Sequence, residues 1–192
     1  MQRRRTFASI IIAGAVFATP AIVHAQVAIT PMIGGYVPAG SINQVTSGAQ
    51  TVATTRQGTL SLGGNLDLGF LRGTVDYVSG TTIQDASRTT LGKGNMLAAA
   101  GDVVIRPLPR ILVQPYLIAG AGEKFYRYDE NTSFLNPGTQ RAFAWHGGLG
   151  ADLMLGNVGA VAELTDFVSK GSDAKWDAHD AFMMVGMKLR LP

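Results

Sequence analysis

The chain has 192 residues; only 15% are charged, 46% are apolar and 24 are glycine, against roughly 25% charged in ordinary soluble domains. That is one domain's worth of material, too apolar for a disordered chain. The absence of cysteine excludes a disulfide framework, a thiolate metal site, a cysteine nucleophile and a lipidated cysteine. Of the 16 basic residues, Arg3, Arg4 and Arg5 fall in the first 25 positions, where none of the 13 acidic residues lies, so residues 26–192 carry 13 of each sign. Such a neutral scatter gives no support to nucleic-acid binding, which needs clustered Lys and Arg.

Residues 1–25 read as a secretory signal peptide: the three arginines, an apolar run from Phe7 to Ala18, the helix-breaking Pro20, and Val23-His24-Ala25 before Gln26. A membrane anchor would need about 20 uninterrupted apolar residues, and the run stops too early. The domain is therefore expected over residues 26–192.

From there the period is two. A first strand is predicted over Val27 to Tyr36. Residues 59–70 then set Leu60, Leu62, Gly64, Leu66, Leu68 and Phe70 on one face against Thr59, Ser61, Gly63, Asn65, Asp67 and Gly69 on the other. Weaker alternation predicts strands over Leu71 to Val78, Asn95 to Arg106, Ile111 to Tyr126 and Val158 to Phe167. Residues 143–154 alternate clearly, with Phe143, Trp145, Leu149 and Leu153 opposite His146, Gly148, Gly150 and Asp152. So does the last strand, with Met183, Val185, Met187, Leu189 and Leu191 opposite Phe182, Met184, Gly186, Lys188 and Arg190. That makes eight strands. Short connections, Gly69-Phe70, Pro107-Leu108-Pro109-Arg110 and Gly156-Asn157, alternate with long ones at 37–58, 79–94, 127–140 and 168–178, as an up-and-down meander through a membrane requires. Gly69 as first central residue of a two-residue hairpin predicts a register in which Leu68 meets Leu71, Asp67 meets Arg72 and Asn65 meets Thr74.

Alternation alone fits both a soluble sandwich, apolar inside, and a membrane barrel, apolar outside. The polar face separates them. It carries Gly, Ser, Asn and Asp instead of long solvated side chains, which suits the cramped lumen of eight strands. An interior polar network is expected from Asp67, Arg72, Asp76, Asp102, Arg106, Asp152, Glu163, Lys188 and Arg190, five acidic and four basic. Tyr36, Tyr77, Phe125, Phe143, Trp145 and Phe167 fall near strand ends beside the long connections and predict an interfacial aromatic girdle. In hydrocarbon every edge must be paired, so the meander has to close. The predicted fold class is all-β, an eight-stranded antiparallel up-and-down transmembrane β-barrel.

With the strand Pro115-Tyr116-Leu117-Ile118-Ala119-Gly120-Ala121-Gly122, the glycines at 147–150, the Glu163 strand and the C-terminal strand in place, residues 26–192 resemble the small porin-like outer-membrane β-barrels of Gram-negative bacteria, typified by outer membrane proteins A and X. In that family the last strand carries an assembly signal, matched here by Gly186, Leu189 and Leu191. Met184 at a place usually polar and the Leu191-Pro192 ending depart from it. The resemblance implies location in the outer membrane, contact with its lipid and lipopolysaccharide, and insertion by the outer-membrane assembly machinery.

Some barrels of this kind modify lipid A, which would need a nucleophile and base within reach. Beyond the leader only His146 and His179 are available. His146 lacks the His-x-Ser spacing that resembles the deacylase pattern and reads as an interior structural histidine. His179, between Asp177 and Asp180, reads as a solvated loop residue, since two carboxylates with no second His make a poor transition-metal site. No catalytic residue, cofactor or metal site is therefore expected. The loops mix both signs, with Arg56, Asp85, Arg88, Lys93, Asp129, Glu130, Lys170, Asp173 and Lys175, and show no dominant patch. The resulting expectation is a non-enzymatic barrel presenting four surface loops, with an envelope-structural or adhesive role and a possible surface ligand. A lipid A-modifying enzyme and a small diffusion pore are the alternatives.

Overall fold

The computed structural model describes residues 27–39, 43–47, 50–84, 90–108, 112–128, 140–170 and 178–191; the signal-peptide reading lies outside them. Ten strands are present: β1 (Val27–Ala39), β2 (Asn43–Ser47), β3 (Gln50–Arg56), β4 (Thr59–Leu68), β5 (Leu71–Gln84), β6 (Thr90–Ile105), β7 (Val113–Tyr128), β8 (Gln140–Leu155), β9 (Val158–Ser169) and β10 (Ala178–Arg190). Eight of them, all but β2 and β3, pair antiparallel in a ring. β1 joins β10 on one side and β4 on the other, and β5 closes onto β6. Closure satisfies every wall strand on both edges, the condition a sheet must meet in hydrocarbon.

The alternation sorts residues onto the two faces as the sequence pattern predicts. Leu60, Leu62, Leu66, Leu117, Leu149, Met183, Val185 and Met187 stand exposed on the outer wall, while Asn65, Asp67, Arg72, Asp102, His146, Asp152 and Lys188 are buried within. In a water-soluble protein so many exposed leucines would have no partner; on a barrel they form the lipid-facing belt.

At the first tight turn Gly69 has φ of 69°, and the ladder pairs Leu68 with Leu71, Asp67 with Arg72 and Asn65 with Thr74. This is the predicted register. Gly156, with φ of 67°, serves the corresponding turn between β8 and β9.

The long connections differ from expectation; β6, for one, already begins at Thr90. The segment 37–58, expected as a loop, contains the β2–β3 hairpin, and β3 then continues onto β5 through Thr55↔Gln84 and Arg56↔Ile83. Val45, Thr46, Thr51, Val52, Thr54 and Thr55 give it β-branched character. Likewise β5 does not stop at Val78. Its register shifts between Val78 and Thr81, where Gly80 has φ of 65°, and the strand resumes to Gln84. A bulge with a left-handed glycine reads in sequence like a turn, which is why Ser79-Gly80 passes for a strand end.

Candidate functional site: the barrel interior

Three layers of polar side chains fill the barrel. Nearest the tight turns, Arg72 Nε lies 2.5 Å from Asp67 Oδ1 and its Nη1 2.5 Å from Glu163 Oε1. Lys188 Nζ is 2.6 Å from Asp67 and 3.0 Å from Asp152. Arg106 stands farther off, 3.8 Å from Asp67 and 3.7 Å from Asp152. Tyr116 donates to Glu163, as does Asn65 Nδ2 at 3.0 Å, and the Arg72 guanidinium lies 5.1 Å from the Tyr116 ring centroid. Three carboxylates face three cations, so this layer is neutral. Pairing offsets part of the desolvation of these charges, while Asp152 Oδ1 is left without a hydrogen-bond partner among the described residues.

The middle layer is leaner in cations. Thr74 Oγ1 donates to Asp102 Oδ2 at 2.7 Å, and His146 Nδ1 sits 2.7 Å from Asp102 Oδ1. The His146 ring stacks on Phe167 with centroids 4.1 Å apart. Asp76 is buried here and makes no ion pair among the described residues.

At the mouth end a third layer converges on Asp180. Lys124 Nζ is 2.5 Å from its Oδ2 and also donates to the Phe167 carbonyl at 3.2 Å; Tyr126 donates at 2.8 Å, and Tyr36 donates to Oδ1. Arg56 covers the Tyr126 ring at 3.9 Å.

Thus the structure brings together Asp67, Arg72, Arg106, Asp152, Glu163 and Lys188, places Asp76 and Asp102 one layer up, and leaves Arg190 half-buried at the end of β10, outside these ion pairs. The whole Asp180 layer was missed. Lys124 lies beside Glu123, which faces outward and breaks the apolar run on that face of β7, while Asp180 sits in a polar stretch that reads as loop. Arg56, expected in a loop, ends β3 and is buried.

The girdle needs correction too. Tyr77, Phe143 and Trp145 are exposed on the outer wall, but Tyr36 and Phe167 are fully buried inside, on the inward parity of β1 and β9. His179 is not a loop residue: it belongs to β10, and its Nδ1 lies 2.6 Å from Asp166 Oδ2 on the outer wall. Gly186 has a packing reason of its own, because a Cβ there would come within 2.5 Å of the Pro31 carbonyl oxygen on β1. Leu191 is exposed at the turn end.

No family model and no curated protein matches this chain. Among solved structures, the outer membrane protein OprG from Pseudomonas aeruginosa superposes with a TM-score of 0.62 at 14% identity, covering 87% of this chain and 96% of that one. Neisserial surface protein A (NspA) gives 0.52 at 11% identity, covering 86% and 97%. At such identities the likeness is one of fold, and the fold is that of the small eight-stranded outer-membrane β-barrels.

Proposed function

We propose that this protein is a closed, non-enzymatic outer-membrane barrel, exported by a cleaved signal peptide, whose task is to hold four mouth-side loops at the cell surface for an envelope-structural or adhesive role. The observation that carries this reading is that bonds cross the lumen between opposite walls. β5 reaches β9 through Arg72–Glu163, and β7 reaches β10 through Lys124–Asp180, while Tyr36 on β1 joins the same carboxylate. On this reading two such levels close the lumen to a hydrated solute, and interaction falls to the loops. Outer-membrane lipid and lipopolysaccharide would surround the wall, and Gly186, Leu189 and Leu191 would present the C-terminal strand to the assembly machinery.

The test is reconstitution in planar bilayers beside a surface-binding assay on whole cells. Low or absent steady conductance, with binding lost when the loops are shortened, is expected; large reproducible channels from monomeric protein would overturn the reading. The His179–Asp166 pair on the lipid-facing wall favours one second reading, a base poised for acyl-lipid hydrolysis. Replacing His146 and His179 together by Ala decides it: loss of a lipid-modifying activity with the barrel intact would establish the enzyme.

A further inference from the structure

Outward cations on the mouth side gather on one half of the ring. Lys93 on β6, Arg127 on β7, Arg141 on β8 and Lys170, which directly follows β9, are all exposed. The described mouth ends of β10, β1, β4 and β5 turn no Lys or Arg outward, only residues such as His179, Ala39, Leu60 and Tyr77.

Register puts the four cations at one height. The rung that leaves β7 at Gln114 for Asp152 of β8 circles the wall and returns from Ala98 of β6 to Lys124, ten residues nearer the mouth. Over eight strands, points of equal height therefore drop about 1.25 residues per strand below the rung, taken from β6 toward β9. The cations drop by two in the same sense. Lys93 lies two residues above Asn95, the partner of Arg127, and Arg127 lies two above Phe125, the partner of Arg141. Lys170, one past the Ala144↔Ser169 rung, comes beside Phe143, two below Arg141. The difference, under one residue per strand, keeps all four within about 5 Å of height, with neighbours about 8 Å apart along the wall.

That height is the edge of the hydrocarbon. Phe143 is twelve residues along β8 from Leu155, about 40 Å of strand and about 28 Å of height at a 45° tilt, and Arg141 is the next outward residue. Phe125, Phe143 and Trp145 share the outward face around and below the row, as aromatics do at the headgroup level, and the Arg141 guanidinium lies 5.2 Å from the Phe125 ring centroid. Anions are fewer here: Glu123, 2.5 Å from Arg141, and Asp166, held by His179. Lys93 and Arg127 make no ion pair among the described residues.

We propose that this row holds one molecule of the phosphorylated glycolipid of the outer leaflet, lipopolysaccharide, by its lipid A phosphates, two neighbouring cations to each phosphate. The inference deepens the surface-barrel reading and rests on its orientation, which sets the mouth outward. A lipid with a single phosphate would engage two of the four side chains, since hydrogen bonds reach only about 3 Å. A soluble polyanion is a poorer occupant, because the cations point sideways from the wall at headgroup depth, above a face built for acyl chains.

Native mass spectrometry of the refolded protein, offered lipid A, dephosphorylated lipid A, phosphatidylglycerol and tripolyphosphate in equal amounts, tests it. One lipid A retained per barrel is expected, with the dephosphorylated form lost. Lys93→Gln with Arg127→Gln, at exposed positions outside the ion pairs, should cut that retention by about tenfold or more, whereas Lys93→Arg with Arg127→Lys, which keeps the charges, should preserve it. Equal retention of dephosphorylated lipid A or phosphatidylglycerol, preference for tripolyphosphate, or unaltered retention by the neutralised variant would each overturn it. A gel comparing unheated and boiled samples checks that the variants fold; if the neutralised one does not, the preference of the unmodified protein for lipid A over its dephosphorylated form decides alone. Labelling of Gln57→Cys on intact cells with a membrane-impermeant maleimide, the chain having no cysteine of its own, separates the two failures. Labelling only after lysis would sink the surface reading, whereas surface labelling without lipid A preference would sink only the row.

Discussion

Arg72 is the side chain on which the turn-end layer depends, since among the described residues it alone bridges Asp67 on β4 and Glu163 on β9. Removing it leaves two carboxylates competing for Lys188, Arg106 and hydroxyl donors, and truncating one member of a buried charge cluster costs about 3–5 kcal/mol. Arg72→Ala should therefore lower unfolding stability in vesicles by that order, and a double-mutant cycle with Asp67→Ala should show coupling well above that of a surface pair. On the opposite face, Leu66→Arg should cost about 2–4 kcal/mol if its depth is near the midplane, with little change for Leu66→Ile. Which residues point inward was legible wherever alternation was clean, as at Asp67 and Arg72. It was not at Lys124: alternation sends Glu123 and Lys124 to opposite faces, but with Glu123 breaking the apolar run on its own face the pattern does not say which of the two turns inward to Asp180.

At the scale of the element, hairpin chemistry carries the most information. A two-residue turn whose first member has positive φ fixes the pairing of the strands on either side, and Gly69 does this for β4 and β5. Gly69→Ala places a Cβ in the left-handed region and should cost about 1–2 kcal/mol. Gly73→Ala, with open space around it, should cost nothing or stabilise slightly; equal losses at both in urea titrations would contradict the turn assignment. Long connections were less legible. The β2–β3 hairpin and the far half of β5 mix β-branched Val, Thr and Ile with Gly, Ser, Asn and Gln, which break up the alternation that marks a strand in sequence. Their ladder neighbours are β3 for β2, β6 for Thr81 to Gln84, and the join of Thr55 and Arg56 with Gln84 and Ile83 between the two segments.

For the whole molecule, the two levels of cross-lumen bonding predict how the barrel can be made to leak. Lys124→Ala with Asp180→Ala removes the mouth-side bridge between β7 and β10, and Arg72→Ala with Glu163→Ala removes the turn-side one. Neither pair alone should raise bilayer conductance much, because the other level still blocks the path; the quadruple variant should conduct. Conductance equal to the unmodified protein in the quadruple variant, with the heat-dependent gel shift retained, would show that the bridges do not close the lumen. The overall architecture was legible because closure is forced: eight alternating strands in hydrocarbon have no stable open form. The side-chain layers that fill the centre depend on which strands face each other across it, and that is fixed only once the ring is assembled.

The ring also has a seam. The Leu191 amide donates to the Val27 carbonyl at 2.8 Å, and Ala28 lies opposite Arg190, so the first and last wall strands are joined exactly as any other neighbours are. A closed ladder does not record where its chain begins. A circular permutant that starts at Gln140, links Leu191 to Val27 through a short glycine-serine bridge and ends at Tyr128 keeps every rung of the wall, since the cut falls in a mouth-side connection. It should reach the same heat-resistant form, more slowly or faster according to which hairpins now emerge first, but to the same end state.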